Sequence, residues 1–436
     1  MIIMSSRQQV TPTRLPERLR LELGQLLAGE PPALARAPEL YHAARAISPV
    51  LDTGQAVLVT GHAAVHEALL DSRRLSNRAL VTGARVQAAR RLMAPEPRIA
   101  FDEVIGFEGN FPSRNDAPDH ARLRRIAHRA FTPRRIAELE SSTRRHVDRT
   151  LAEMDSADVV DCTTLASSVP LMVVGDLLGV PAPDLDMIHG WSLKLGAANA
   201  STETEPMLQA RDALREFRAY VAERLASNRR QPDATDLITM LMGAEAEERV
   251  SEEELAALFV QLLFAGHETS ATLIGSGLRE LLLVGDRWRA LVAAPSMIPI
   301  VVEELLRLVS PSQFVSRNAT ETMPLAGVTI PAGADVLLVL AAANRDPSVF
   351  AGPDQLDVER PATGRHLAFG LGPHFCLGAA LTRLEARVVF EQLIALYPGI
   401  ELADLSATWQ GGAMLRRLER LPVSLGTRAR SSDAGR

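Results

Sequence analysis

The decapeptide FGLGPHFCLG, Phe369–Gly378, puts one of the chain's two cysteines behind a glycine-rich turn and two residues after a histidine. Three chemistries compete for Cys376. It can be a small, buried, apolar side chain at a helix start, where an isolated cysteine ordinarily belongs. It can form half of a zinc site with His374, but a structural zinc takes four ligands, and the other cysteine, Cys162, lies far upstream with no paired spacing near it. The third reading makes it a single thiolate ligand to a metal held by something other than the protein.

The neighbouring residues favour the third reading. Leu377, Leu381, Leu384 and Val388 mark the apolar face of a helix beginning just after the cysteine. Its N-terminus would direct unpaired N–H groups and the positive dipole end toward the sulfur, which stabilises a thiolate. Gly370, Gly372 and Gly378 let the backbone turn tightly and approach a flat ligand, while Phe369 offers an apolar wall. An iron porphyrin fits this demand: one axial thiolate, apolar packing, and cationic or hydrogen-bonding partners for its carboxylates.

At 436 residues and 47% hydrophobic, the chain can bury a large core. The formal charge of -6 and the dispersed basic residues give no polyanion footprint, so nucleic acid is not expected as a partner. The N-terminal stretch carries charges throughout and reads neither as a secretory signal nor as an anchor. The longest uncharged apolar run, Leu255–Gly266, is too short to span a bilayer. The expectation is a cytoplasmic protein without membrane attachment, with both thiols reduced.

Helical periodicity dominates, in Leu214–Leu225, Glu252–Gly266, Ile298–Leu308 and Leu377–Leu396. Strand signals cluster in Ser48–Gly61, which reads as a hairpin around a glycine turn, and in Met323–Leu340. The fold class expected is therefore mainly α with a smaller β-rich portion. Between Leu92 and Asp119, around Pro95 and Pro97, no clear periodicity is legible, and this segment is expected to be a long functional loop. The polar end Thr427–Arg436 has nothing apolar to bury and is expected to be disordered.

The cysteine segment matches F-x-x-G-x-x-x-C-x-G, with Phe369, Gly372, Cys376 and Gly378 in the fixed places, and so resembles the ligand loop of the cytochrome P450 family. AGHETS, Ala265–Ser270, resembles the family's central-helix signature. A glycine inside a helix costs about 1 kcal/mol relative to alanine, so Gly266 needs a reason, and a ligand lying against the helix is one. Thr269 can bond back to the carbonyl of Ala265 or, paired with Glu268, pass protons to bound dioxygen. Glu304 and Arg307 resemble the family's E-x-x-R pair, structural rather than catalytic, with Arg360 of VERP in the place of the usual third partner; Val358 and Pro361 depart from the pattern. His120 and Arg124, four apart on one helix face, resemble the family's H-x-x-x-R pair for a haem propionate. Arg317 and His374 complete the implied propionate partners. Arg122, Arg125 and Arg129 are either a solvated basic face or a docking surface for an acidic electron-transfer protein. AANRDP, Ala342–Pro347, is family-like and structural.

The resemblance runs from about Leu40 to Leu425. It implies a cytochrome P450 fold with haem b between the long central helix and the cysteine loop, Cys376 ligating iron, and Ala265, Gly266, Phe369 and Gly378 against the haem. Residues 1–30 read as an N-terminal extension, 31–426 as a single P450 domain, and 427–436 as the tail. The implied activity is a haem-thiolate monooxygenase that inserts one oxygen atom of O2 into an apolar small molecule by hydroxylation, epoxidation or O-dealkylation. No nucleotide fingerprint or cysteine cluster for a second redox centre is present, so electrons would come from NAD(P)H through a separate ferredoxin and ferredoxin reductase, to a monomeric enzyme. A peroxide-driven peroxygenase is the alternative, which the Glu268/Thr269 pair argues against; a haem protein that senses or binds small molecules without turnover is another. Gln261, Phe264, Ala265, Val315 and Met414 are substrate-pocket candidates by position.

Overall fold

The longest helix, Glu252–Leu282, carries its own start signal. Ser251 accepts a hydrogen bond from the Glu254 backbone while the Glu254 side chain accepts from the Ser251 backbone, a complete capping box with three acidic residues in the first turn. The computed structural model describes residues 11–154, 158–198, 203–228, 250–360, 363–412 and 414–429. Among these, Glu252–Leu282 alone is long and apolar enough to cross a membrane, and 61% of its most apolar window is buried inside the protein.

Thr163–Leu178 packs along this central helix because small residues let the two backbones approach. A Cβ on Gly266 would stand 2.7 Å from Val174 Cγ2, and one on Gly275 would stand 3.4 Å from Ala166 Cβ. The space a side chain at 266 would fill thus belongs to a neighbouring helix, not to a ligand. Packing supplies the reason for Gly266 that the sequence assigned to a cofactor. Ile298–Val309 and Ala379–Leu396 join the same core through Leu305, Leu306, Val388 and Phe390, all buried. Each such side chain contributes about 2 kcal/mol by leaving water.

A second apolar cluster gathers Leu185–Ala198 and Thr204–Asn228 against the first half of the central helix. It also contains Pro95–Glu108, which is a helix and not the long loop expected from Pro95 and Pro97. The prolines occupy the first turn, where a missing N–H costs nothing. Behind them Ala100, Phe101, Val104 and Phe107 repeat at helical spacing and are buried.

The expected hairpin is present: Val50–Asp52 pairs antiparallel with Val57–Val59 across a turn in which Gly54 has φ +83. It continues into a six-stranded sheet, Thr13–Arg14, Val50–Asp52, Val57–Val59, Asp335–Leu338, Val315–Ala319 and Leu75–Ser76 in order. Met323–Leu325 and Val328–Ile330 form a separate hairpin. The first strand and the helix Glu17–Leu27, with Leu23 and Leu26 buried in the main core, draw residues of the presumed N-terminal extension into the fold. Of the presumed tail, Thr427, Arg428 and Ala429 are described, and the Ala429 N–H bonds the Leu396 carbonyl at 2.8 Å; 430–436 lie outside the described residues.

Candidate active site

The turn before Cys376 depends on two glycines in the left-handed region, Gly370 at φ +67 and Gly372 at φ +69. A Cβ on Gly372 would also meet the Leu69 carbonyl at 3.2 Å, so its role is backbone geometry and packing. The turn closes with the Cys376 N–H on the Phe369 carbonyl at 2.9 Å. Gly378 caps the helix Ala379–Leu396, and nothing lies nearer than 4.0 Å to where its Cβ would stand, leaving that side open.

The loop is held from behind by two ion networks. Glu304 and Arg307, on Ile298–Val309, are fully buried and exchange bonds of 2.8 and 2.7 Å. Arg360 completes the set, donating to Glu304 Oε1 at 3.1 Å, while Pro361 lies outside the described residues. Arg307 also bonds the carbonyls of Asn344, Pro353 and Gln355, so a charge cluster away from water has its donors met. Asn344, of the family-like AANRDP, passes this order on by accepting from the Leu367 N–H at 2.6 Å. In the second network Glu303 holds Arg383 at 2.5 Å and His366 at 3.1 Å, and the Arg383 guanidinium lies 4.6 Å above the Phe369 ring.

Burial pushes the Cys376 thiol up, against the Gly378 N–H and the charges of Arg124 and Arg383, and burial prevails. The helix end therefore contributes one N–H to the sulfur and does not by itself make the thiolate expected from sequence. A coordinated metal ion would, because coordination deprotonates a thiol outright.

Around the loop, two arginines and two histidines gather near Asp116. His120 and His374 stack with centroids 3.8 Å apart. Burial, His120 and Arg317 drive His374 down to about 3. Arg317 is pushed down to about 10 by burial, and burial likewise lowers Arg124. The nearby Asp116 is engaged by the Ser76 hydroxyl at 2.5 Å and the Asn77 N–H at 2.9 Å. His120, Arg124, Arg317 and His374 thus form one cluster of two guanidinium cations and two neutral imidazoles, a set of donors suited to a ligand with paired carboxylates. Asn77, which bonds His374 at 2.8 Å, and Asp116 were not assigned roles from the sequence.

Across the central helix, Gln261, Ala265 and Thr269 recur at four-residue spacing, Ala265 exposed and the other two half-buried. A face left uncovered on a core helix has room for a flat apolar group. Thr269 makes the back-bond to the Ala265 carbonyl at 3.1 Å. Glu268 points to the other side of the helix, where Arg417 donates to Oε2 at 2.7 Å. Burial alone would raise that carboxyl, but His267, Arg417 and His189 hold it down to about 2. Gln261 accepts from the Ser113 N–H at 3.4 Å; Phe264 and Val315 are half-buried, and Met414 is exposed. Arg122 is tied to Glu254 at 2.5 Å and to Asp119 at 3.4 Å. Cys162 and Cys376 are both free.

The family model for cytochrome P450 matches residues 296–398, which hold the buried ion pair and the cysteine loop. The chain is 38% identical over 399 residues to a vitamin D(3) 25-hydroxylase of Pseudonocardia autotrophica, covering 89% of this chain and 94% of that protein. The chain belongs to the cytochrome P450 family. Its fold matches that of the P450 CYP164A2 from Mycobacterium smegmatis, solved free of ligand, with a TM-score of 0.82 at 29% identity over 93% of this chain and 100% of the other. It is also 38% identical over 330 residues to the polyketide-biosynthesis P450 PksS of Bacillus subtilis, covering 74% of this chain and 80% of that one. P450s carry haem iron, and the residues present fit it: a half-buried free cysteine, an open glycine, an uncovered helix face and a cluster of arginine and histidine donors. The sequence pointed to neither Arg417 nor His189, because a strand arginine and a lone helix histidine carry no motif.

Proposed function

We propose that this P450 inserts one oxygen atom of O2 into an apolar small molecule, with electrons from NAD(P)H delivered by a separate ferredoxin and its reductase. The observation that carries the reading is the uncovered Gln261–Ala265–Thr269 face on the helix that also holds Glu268. Bound haem would supply oxygen activation at the iron, with Cys376 as its protein ligand. His120, Arg124, Arg317 and His374 would hold its carboxylates. Phe369, braced by Arg383, would wall one side, and Ala265 would present only a methyl group on the other.

The protein's own chemistry is proton handling. Glu268 rests as a carboxylate on Arg417, so it carries a proton inward only after leaving that guanidinium. The Thr269 hydroxyl stands one residue further on, where it can donate once released from the Ala265 carbonyl. Phe264 and Val315 line the substrate side, and the pairing of Gln261 with Ser113 turns its polar end toward the segment after Pro95–Glu108. The enzyme is read as a monomer of the cytoplasm.

The test is spectral and kinetic. Reduced protein with CO should show the thiolate-type band, and Cys376→Ser should lose it while keeping its helical content. A normal band in Cys376→Ser would remove the ligand assignment. Product formed from NAD(P)H with a surrogate ferredoxin and reductase supports a monooxygenase; product formed only with peroxide would favour a peroxygenase. Tight ligands that shift the spectrum without any product would favour a binding or sensing protein.

A further inference from the structure

On the side of the central helix where Glu268 meets Arg417, three metal-binding side chains converge. His189 comes from Leu185–Ala198 and His267 and Glu268 from the central helix. His189 Nδ1 lies 3.2 Å from His267 Nε2, which lies 3.4 Å from Glu268 Oε1, and the three ligand atoms fall within 4.8 Å of one another. With zinc bonds of about 2.0–2.1 Å to nitrogen and oxygen, neighbouring ligands of a tetrahedral centre stand about 3.3 Å apart. Two of the separations are already at that value.

The outer partners are also in place. His267 Nδ1 bonds the Leu263 carbonyl at 2.7 Å, which puts the proton on Nδ1 and turns the Nε2 lone pair toward the cluster. Arg417 occupies Glu268 Oε2 and leaves Oε1 to the other side. His267 and Glu268 are 1% and 7% exposed, so neither is a chance surface group. His189 and Arg417 also line a cavity of about 150 Å³ with Thr163, Ser167, Thr272 and Gln410. That cavity gives an ion a path from solvent and room for a water as fourth ligand.

We propose that His189 Nδ1, His267 Nε2 and Glu268 Oε1 form a zinc site, separate from the iron, in which the metal takes over the carboxylate that handles protons. Zinc there would hold Glu268 in place as Arg417 does and slow turnover; that second part rests on the proton role proposed above. The nitrogen-rich donor set selects zinc over calcium or magnesium, which favour all-oxygen shells.

The experiment is titration of tag-free, haem-loaded protein with zinc chloride in a calorimeter, beside His189→Ala. His189 is half-buried and outside the haem site, so the variant should keep its haem spectrum, a check on folding. One zinc per chain, bound at least about tenfold more weakly by His189→Ala, is the expected result. Zinc-edge anomalous density between the three side chains would place the ion. No binding, equal binding by His189→Ala, or density elsewhere would overturn the site. Zinc bound there with turnover unchanged would support the site and count against Glu268 as the proton carrier.

Discussion

Arg417 donates from Nη1 to Oε2 of Glu268 at 2.7 Å, joining residues 149 apart in the chain. One is on the central helix and the other on a short strand near the C-terminus. Within the shell that holds the carboxyl down to about 2, Arg417 is the arginine. Replacing it by Leu should let Glu268 take up a proton at higher pH. The infrared carbonyl band of the protonated acid, identified by its loss in Glu268→Gln, should then appear at higher pH in Arg417→Leu than in the parent. The same onset in both proteins would remove Arg417 from this role. Glu268→Gln itself should keep its haem and lose about 100-fold in turnover, the usual weight of a positioned proton donor.

Thr269→Ala removes a back-bond to Ala265 and little else of the packing. Its melting temperature and haem content should stay close to those of the parent. Reducing equivalents should be diverted from product to peroxide. Unchanged coupling of NAD(P)H use to product would leave Thr269 with only its helix bond.

Arg360→Ala tests the third member of the buried network. Glu304 would lose the 3.1 Å bond but keep Arg307. The cost should be about 2–3 kcal/mol, below the range of about 3–5 kcal/mol for a buried pair left wholly unpartnered. Urea denaturation followed by the haem band measures it, and an unshifted midpoint would make the pairing incidental.

Glu303 sets a pH dependence of stability. Burial opposes its ionisation, yet Arg383 and His366 hold it down to about 2, well below the ordinary carboxylate range. Because the folded value is depressed, the stabilisation is complete above the unfolded value, near 4.5, and drains away as pH falls toward about 2. Glu303→Gln should therefore be less stable near neutrality by about 1–3 kcal/mol, and the gap should close as the medium is acidified through that window. A gap independent of pH would mean that lost packing, not lost charge, explains the variant.

The haem side of the site was legible because its requirements are local. The turn with Gly370 and Gly372, Cys376 three residues before the helix beginning at Ala379, and Glu304 one turn before Arg307 are short-range patterns that a chain carries in order. His120, Arg124, Arg317 and His374 are candidates for propionate partners only through the resemblance to P450s. That they meet, and that two histidine rings stack, appears only when the sheet and two helices converge.

Two readings failed for physical reasons. Pro95 and Pro97 hid a helix because proline breaks a helix interior but suits its first turn, and only the burial of Ala100, Phe101, Val104 and Phe107 distinguishes the cases. Gly266 was matched to a ligand because a glycine in a helix needs a reason, and sequence cannot say which neighbour supplies it; here it is Val174.

By itself the sequence determined the mainly helical fold and the cysteine loop, since hydrophobic period, turn chemistry and motif spacing are properties of neighbours along the chain. Tertiary structure alone decided what surrounds Glu268. Arg417 and His189 reach it from separate elements, Arg417 at 2.7 Å, and their effect on one carboxylate depends on a proximity that no spacing along the chain encodes.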